Sequence, residues 1–360
     1  MESVYIHIPF CQNICSYCDF CKVLMHGPWV TKYLNALVNE IKDKYHDELI
    51  KTIYIGGGTP SALSEKDLKY LFDIIGKLKL ADQVEFTFEC NVNDLTENLL
   101  KLLSNYPVNR LSIGVQSFNS KKLAFMERNH TFKDVSEKLA LVRQYHFNNI
   151  NLDLIYGIPG ETIKDLKKDL RLFLKLKPEH ISTYSLIVED NTKIGIACVN
   201  PISEDLDRQM YDTICRKLAT KKYLHYEVSN FAKKGYAAKH NLNYWHNLEY
   251  YGFGVGAHGY TFGVRYENTR SLTDYFQGKY VLKEEMLSKA TIMENELLLG
   301  LRKSEGINLK AFFDKFELNM QEVFPIKPLL KSKDLIYKNG NIFINPERLY
   351  IMNEILIKMI

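Results

Sequence analysis

The chain has 360 residues, 46% hydrophobic and 25% charged, a balance that supports a large buried core, in two or three domains or one large one with an appendage, and argues against long disorder. A formal charge of +4 is too small to mark a nucleic-acid binder, so no nucleic acid is expected as a partner. No apolar run reaches the ~18 residues of a membrane span, and the start of the chain lacks the basic region, apolar stretch and cleavage site of a secretory signal, so the expectation is a soluble cytoplasmic protein.

Short β-rich runs alternate with helix-length amphipathic runs over the first half. Val4–Ile8 reads as a strand, followed by a cysteine-rich loop and a helical pattern over Val30–Tyr45. A strand over Thr52–Ile55 ends in Gly56-Gly57-Gly58-Thr59-Pro60. The next helix has Ser64 as its N-cap and Leu68, Leu71, Phe72 and Ile75 as its apolar stripe. The alternation continues with strand Val84–Cys90 and a helix from Thr96, strand Leu111–Val115 and a helix from Lys133, strand Ile150–Leu154 and helix Thr162–Leu176, then strand His180–Ser185. Such spacing predicts βα units on a parallel sheet. About six units are too few for the eight-stranded closed barrel, so the expected fold is α/β with a partial (β/α)6 barrel.

Chemistry in such folds gathers beyond the carboxyl ends of the strands. The cysteine loop, the Gly56–Pro60 turn, Glu89, Gln116 and Asp153 (read as closing its strand) fall at five successive strand ends. Past residue 190 the pattern changes. Residues 225–265 are rich in Tyr, Asn, Gly and His, and 285–360 return to short helical runs. Lys338-Asn339-Gly340-Asn341, between Leu335–Tyr337 and Ile342–Ile344, predicts a hairpin. The carboxyl-terminal part is therefore expected to be a small α+β, winged-helix-like domain. It has no dense Lys/Arg stripe of the kind a DNA-binding wing needs.

Of seven cysteines, Cys11, Cys15, Cys18 and Cys21 crowd one loop, a poor disulfide framework that fits a metal site in a reducing compartment. Cys90, Cys198 and Cys215 are scattered and read as small core hydrophobes. The C-x3-C-x2-C spacing of Cys11, Cys15 and Cys18 suits three thiolates on a [4Fe-4S] cluster that leaves one iron open. The open iron can chelate a small molecule such as S-adenosyl-L-methionine (SAM). A structural zinc on all four thiolates is the alternative, while a ferredoxin would want a further remote Cys-Pro.

The segment Tyr5-Ile6-His7-Ile8-Pro9-Phe10-Cys11, followed by Cys15, Tyr17 and Cys18, resembles the radical SAM superfamily, and within it the oxygen-independent coproporphyrinogen III oxidase group. The resemblance extends over nearly the whole chain. It implies that a reduced cluster releases a 5′-deoxyadenosyl radical from SAM. It also implies that Tyr5, Tyr17, Gly57, Gly58, Thr59, Glu89, Gln116, Arg128 and Asp153 surround the cofactor. The oxidase members carry a fourth cysteine where this chain has Phe20, and an extension ahead of the first strand. The pattern C-x3-C-x2-C-x-F and the run His240-Asn241-Leu242-Asn243-Tyr244-Trp245 instead resemble the heme chaperone HemW branch.

That branch implies heme as cargo, with His240 as an iron ligand and the rings of Tyr244 and Trp245 packed on the porphyrin. His246 and His258 are reserve ligands. Cys21 stands where the family has a polar residue. The implied role is binding heme and passing it to an acceptor hemoprotein such as a membrane respiratory cytochrome. Homodimerisation and peripheral membrane association are further implications. Oxidative decarboxylation in porphyrin biosynthesis is the alternative, and a radical enzyme with another substrate a third. The expected division is 1–225 for the radical SAM core, 226–280 for the segment that carries His240 and closes the barrel, and 281–360 for the carboxyl-terminal domain.

Overall fold

A computed structural model describes residues 1–360. Six strands, β1 (Ser3–Ile8), β2 (Ile50–Gly57), β3 (Leu80–Asn91), β4 (Arg110–Gln116), β5 (Ile150–Tyr156) and β6 (His180–Ser185), lie side by side in chain order. All five pairings are parallel. The linking helices are α1 (Gly27–Lys44), α2 (Glu65–Ile75), α3 (Glu97–Leu103), α4 (Ser120–Phe125), α5 (Phe132–Gln144) and α6 (Ile163–Lys175). After β6 come α7 (Lys193–Ile196), α8 (Glu204–Ala219), β7 (Leu224–Glu227), β8 (Asn230–Ala232), α9 (Lys239–Trp245) and β9 (Tyr251–Phe253).

The complete sheet has nine strands in the order β9-β1-β2-β3-β4-β5-β6-β8-β7. β9 adds a seventh parallel strand outside β1, and β8 and β7 finish the other side antiparallel. The two end strands do not pair, so the barrel is partial, as the strand count predicts.

Each strand alternates between apolar outer and polar inner residues. Val4, Ile6 and Ile8, or Phe86 and Phe88, pack in the main apolar core shared with helix faces such as Leu68, Leu71 and Phe72. Burying each such side chain contributes about 1.5–3 kcal/mol. The intervening residues meet across the inner face: Thr52 Oγ1 donates to Ser3 Oγ at 2.8 Å, Arg110 Nη1 to Thr87 Oγ1 at 3.4 Å, and Asn151 Nδ2 to Ser112 Oγ at 2.9 Å. The lumen is thus polar, which a binding barrel needs and a packed core does not.

Local capping sets the helix starts. Ser64 caps α2 by accepting from Asp67 N, and Thr131–Asp134 and Thr162–Asp165 form reciprocal capping boxes at α5 and α6. α1 starts at Gly27, earlier than the apolar stripe indicates, because Pro28 is preorganised for a first helical turn. β5 runs on to Tyr156, which places Asp153 inside the strand.

Beyond β9, β10 (His258–Thr261), β11 (Val264–Asn268) and β12 (Val281–Met286) form an antiparallel sheet. A second apolar cluster, from Met293 to Met359, organises the carboxyl-terminal helices around a small sheet. That sheet contains β13 (Ile307–Asn308), β14 (Leu335–Lys338) and β15 (Asn341–Ile344). Asn339 and Gly340 turn the expected hairpin, with φ of 53° and 82°, as a type I′ turn requires.

Candidate cofactor site at the carboxyl end of the barrel

The cysteine loop leaves β1 and is fixed by its neighbours. Phe10–Cys11 pairs in parallel with Val23–Leu24, and Ser16 Oγ donates to the Phe125 carbonyl at 2.7 Å. Cys11 is buried, and Thr59 Oγ1 donates to its sulfur at 3.4 Å. Burial raises the Cys11 and Cys18 thiols, while the Thr59 bond opposes the rise at Cys11. Cys11, Cys15 and Cys18 lie within one another's electrostatic reach. Cys21 is turned elsewhere: its sulfur points to the Arg270 carbonyl at 3.8 Å and its side chain lies against Gly256. Cys21 thus points away from the loop, and no three of the cysteines stand close enough together to form a metal-ligand group.

The Gly56–Thr59 turn approaches the same loop. Gly57 has φ of +113°, and a Cβ there would lie 2.4 Å from the His7 ring, so the position requires glycine. Gly58 N bonds the Ile8 carbonyl at 2.8 Å, and Thr59 N bonds the Phe10 carbonyl at 2.8 Å. His7 is held by Tyr5 Oη at 3.0 Å and by the Cys21 carbonyl at 2.7 Å, and burial lowers its pKa to about 4. It is a neutral structural imidazole.

Glu89 lies under this turn. Its carboxylate accepts from Tyr54 Oη at 2.6 Å and from Gly57 N at 3.1 Å. Burial raises its pKa to about 7, and nearby Asp153 adds to the rise. Asp153 is raised as well, first by burial, and is held by Asn151 Nδ2 at 2.8 Å. Both side chains are enclosed by the barrel yet only partly covered, so they face its open end.

Gln116 adopts φ of +68° at the end of β4, and its Oε1 is buried without a partner. Arg128 donates to the Gly114 carbonyl at 3.0 Å and to Tyr17 Oη at 3.3 Å, and its Nε is likewise unpartnered. Unpaired buried polar atoms cost about 1–3 kcal/mol each, so this end of the barrel suits a polar ligand. At this end of the barrel Gly57 bonds Glu89, Thr59 bonds Cys11 and Tyr17 bonds Arg128.

His240 lies elsewhere. α9 is anchored near the amino ends of the strands, where Glu85 accepts from Lys239 N and His240 N, both at 3.0 Å. His240 is buried, its Nδ1 bonded to Thr52 Oγ1 at 2.8 Å and its Nε2 to Tyr244 Oη at 2.8 Å. Burial lowers its pKa to about 3. Neither ring nitrogen is free, and the cysteine loop is at the opposite end of the lumen. Tyr54 lies between them, its ring 5.4 Å from that of His240 and its hydroxyl on Glu89. His246 and His258 are surface residues, 3.4 Å from Glu305 and 4.0 Å from Glu267.

The sequence reading missed His7, Tyr54 and Arg110. The available signal was the recurrence of a polar or aromatic-polar residue at every second position of successive strands, as in Tyr5/His7 and Asn151/Asp153.

Residues 5–173 match the model of the radical SAM superfamily, and residues 287–347 that of the HemN C-terminal domain. The chain is 42% identical over 348 residues to the heme chaperone HemW of Lactococcus lactis, an alignment covering 94% of this chain and 91% of that one. The chain belongs to the HemW family. HemW of Bacillus subtilis is 40% identical over 357 residues, covering 94% of this chain and 93% of its own. Among solved structures, the Escherichia coli radical SAM enzyme coproporphyrinogen III oxidase (HemN) superposes with a TM-score of 0.87 at 19% identity, covering 99% of this chain and 89% of that one. That likeness shows the shared fold. Membership of the radical SAM superfamily carries with it a [4Fe-4S] cluster and SAM.

Proposed function

We propose that the protein is a heme chaperone, binding heme and delivering it to an acceptor hemoprotein from a SAM-binding [4Fe-4S] scaffold. The observation supporting this most directly is the identity to HemW relatives along nearly the full length of both chains. Phe20 in place of a fourth cysteine and the His240–Trp245 run point the same way. We place the protein in the cytoplasm; no helix is long and apolar enough to cross a membrane.

In this reading Cys11, Cys15 and Cys18 hold the cluster, which when reduced can supply an electron to the SAM sulfonium. The unpartnered Arg128 Nε and Gln116 Oε1 support the fit. Arg128 meets the SAM carboxylate, Glu89 and Asp153 accept from its ammonium and ribose hydroxyls, and Gly57 and Gly58 let the backbone approach its methionyl end. Thr59 positions Cys11, while Tyr17 holds Arg128 against the loop. Tyr5 orients His7 beneath the glycine turn.

For heme, His240 can reach iron only if α9 withdraws and its bonds to Thr52 and Tyr244 break. The exposed Phe20 on the cysteine loop, Ile187 after β6 and Ile196 at the end of α7 offer apolar side chains to a porphyrin without that rearrangement. Both placements belong to the proposal.

The test is a side-by-side assay of anaerobically reconstituted protein. Stoichiometric heme binding with a shifted Soret band, and no conversion of coproporphyrinogen III, is the expected result. Decarboxylation accompanied by 5′-deoxyadenosine would establish the oxidase in its place. Deoxyadenosine release with neither result would point to another substrate.

A further inference from the structure

The outer face of the barrel carries a feature that neither cofactor nor heme uses. α6 and α8 flank an open surface groove of about 900 Å³. Lys164, Lys167 and Arg171 line it from α6, and Arg216 and Lys217 from α8, with hydroxyls from Thr213 and Thr220. No carboxylate is among its lining residues. None of the five cations makes an ion pair, whereas exposed helical lysines elsewhere do: Lys69 with Glu65, Lys133 with Glu137 and Lys310 with Asp314.

The nearest acidic residues of α6 are committed to other partners. Asp165 caps its own helix through Thr162, and buried Asp169 binds Lys122 and Ser117. On α8 three acidic residues, Glu204, Asp205 and Asp207, lie in the first turn, and Arg216 and Lys217 in the last; Asp212, one turn before Arg216, is the one carboxylate of α8 near the groove, and it forms no ion pair with the groove cations. Several cations within one Debye length, about 8 Å at physiological salt, repel one another unless an anion lies between them.

The shape of the charge decides the kind of anion. Lys164, Lys167 and Arg171 follow one helix face, and seven residues of helix rise about 10 Å. That row, faced by a second from α8, suits an extended run of negative charges better than one compact phosphate. No large apolar side chain is exposed on either helix, so nothing there would insert into a lipid surface.

We propose that the α6–α8 groove docks an acidic segment, rich in Asp and Glu, of a partner protein. The docking does not rest on the heme reading, so either can fail alone.

The experiment uses the full-length, cluster-loaded chain and a fluorescein-labelled deca-glutamate peptide, read by anisotropy. K164E/K167E/R171E and, on the other helix, R216E/K217E should each weaken binding about tenfold or more at low salt, and added salt should weaken the parent's binding steeply. K310E/K327E/K331E makes the same charge change as the first variant on the carboxyl-terminal unit and should leave affinity within about twofold. Equal losses in the control and groove variants would overturn the proposal, because bulk charge alone would explain them. So would retention of phosphatidylglycerol vesicles through the groove residues without peptide binding, which would make the surface a lipid site.

Discussion

Replacing Glu89 with Gln tests the inner electrostatics directly. Burial holds this carboxyl at about 7, above its ordinary 4.5. The native chain therefore retains a proton that the unfolded chain releases, and stability falls as pH rises from about 4.5 to about 7. At about 1.4 kcal/mol per pH unit the full difference is about 3 kcal/mol; partial access of solvent to the side chain reduces it to about 2 kcal/mol. Glu89→Gln keeps the shape and removes the charge. In urea unfolding of the cofactor-free chain, the variant should match the parent near pH 4 and exceed it by about 2 kcal/mol near pH 8. SAM affinity should move the opposite way, falling about tenfold or more, because an amide cannot pair with the ammonium group. A stability difference that is the same at both pH values, or a variant less stable at pH 8, would refute the reasoning.

The same geometry sets other expectations. Gly57→Ala forces a side chain into φ of +113° against the His7 ring and should cost about 2–4 kcal/mol in chemical denaturation, whereas Gly27→Ala meets open space and should be near neutral. Alanine at Cys11, Cys15 or Cys18 should abolish the [4Fe-4S] signal in Mössbauer spectra and iron analysis, and Cys21→Ala should retain it; loss in Cys21→Ala would indicate a fourth thiolate ligand. His240→Ala removes bonds to Thr52 and Tyr244 and should lower stability by about 2–4 kcal/mol. If His240 also reaches heme, a Soret titration should show weaker binding, while unchanged affinity would assign the cargo to another ligand.

The βα alternation was legible because the strands are short runs rich in β-branched and aromatic residues and several of the linking helices begin at a capping residue, such as Ser64 or Thr162. Positions at strand ends, such as Glu89 and Gln116, follow from order alone. α4 was missed because Ser120–Phe125 is too short to show an apolar stripe. β9 was missed because it has three residues and pairs with β1 across the whole domain. The position of His240 depends on Glu85 and Thr52, far away in sequence, and the outward turn of Cys21 on Arg270 and Gly256. Such nonlocal contacts leave no local period in the sequence.

The placement of β1 has a consequence for biogenesis. One flank of this strand is covered by β2, which the ribosome delivers early, and the other by Tyr251–Phe253. During synthesis the strand that leads into the cysteine loop therefore keeps a bare edge until about two thirds of the chain has emerged, at ~5–20 residues per second. Nascent chains that stop short of Tyr251–Phe253 therefore expose an adhesive β edge on the strand that leads into the cysteine loop.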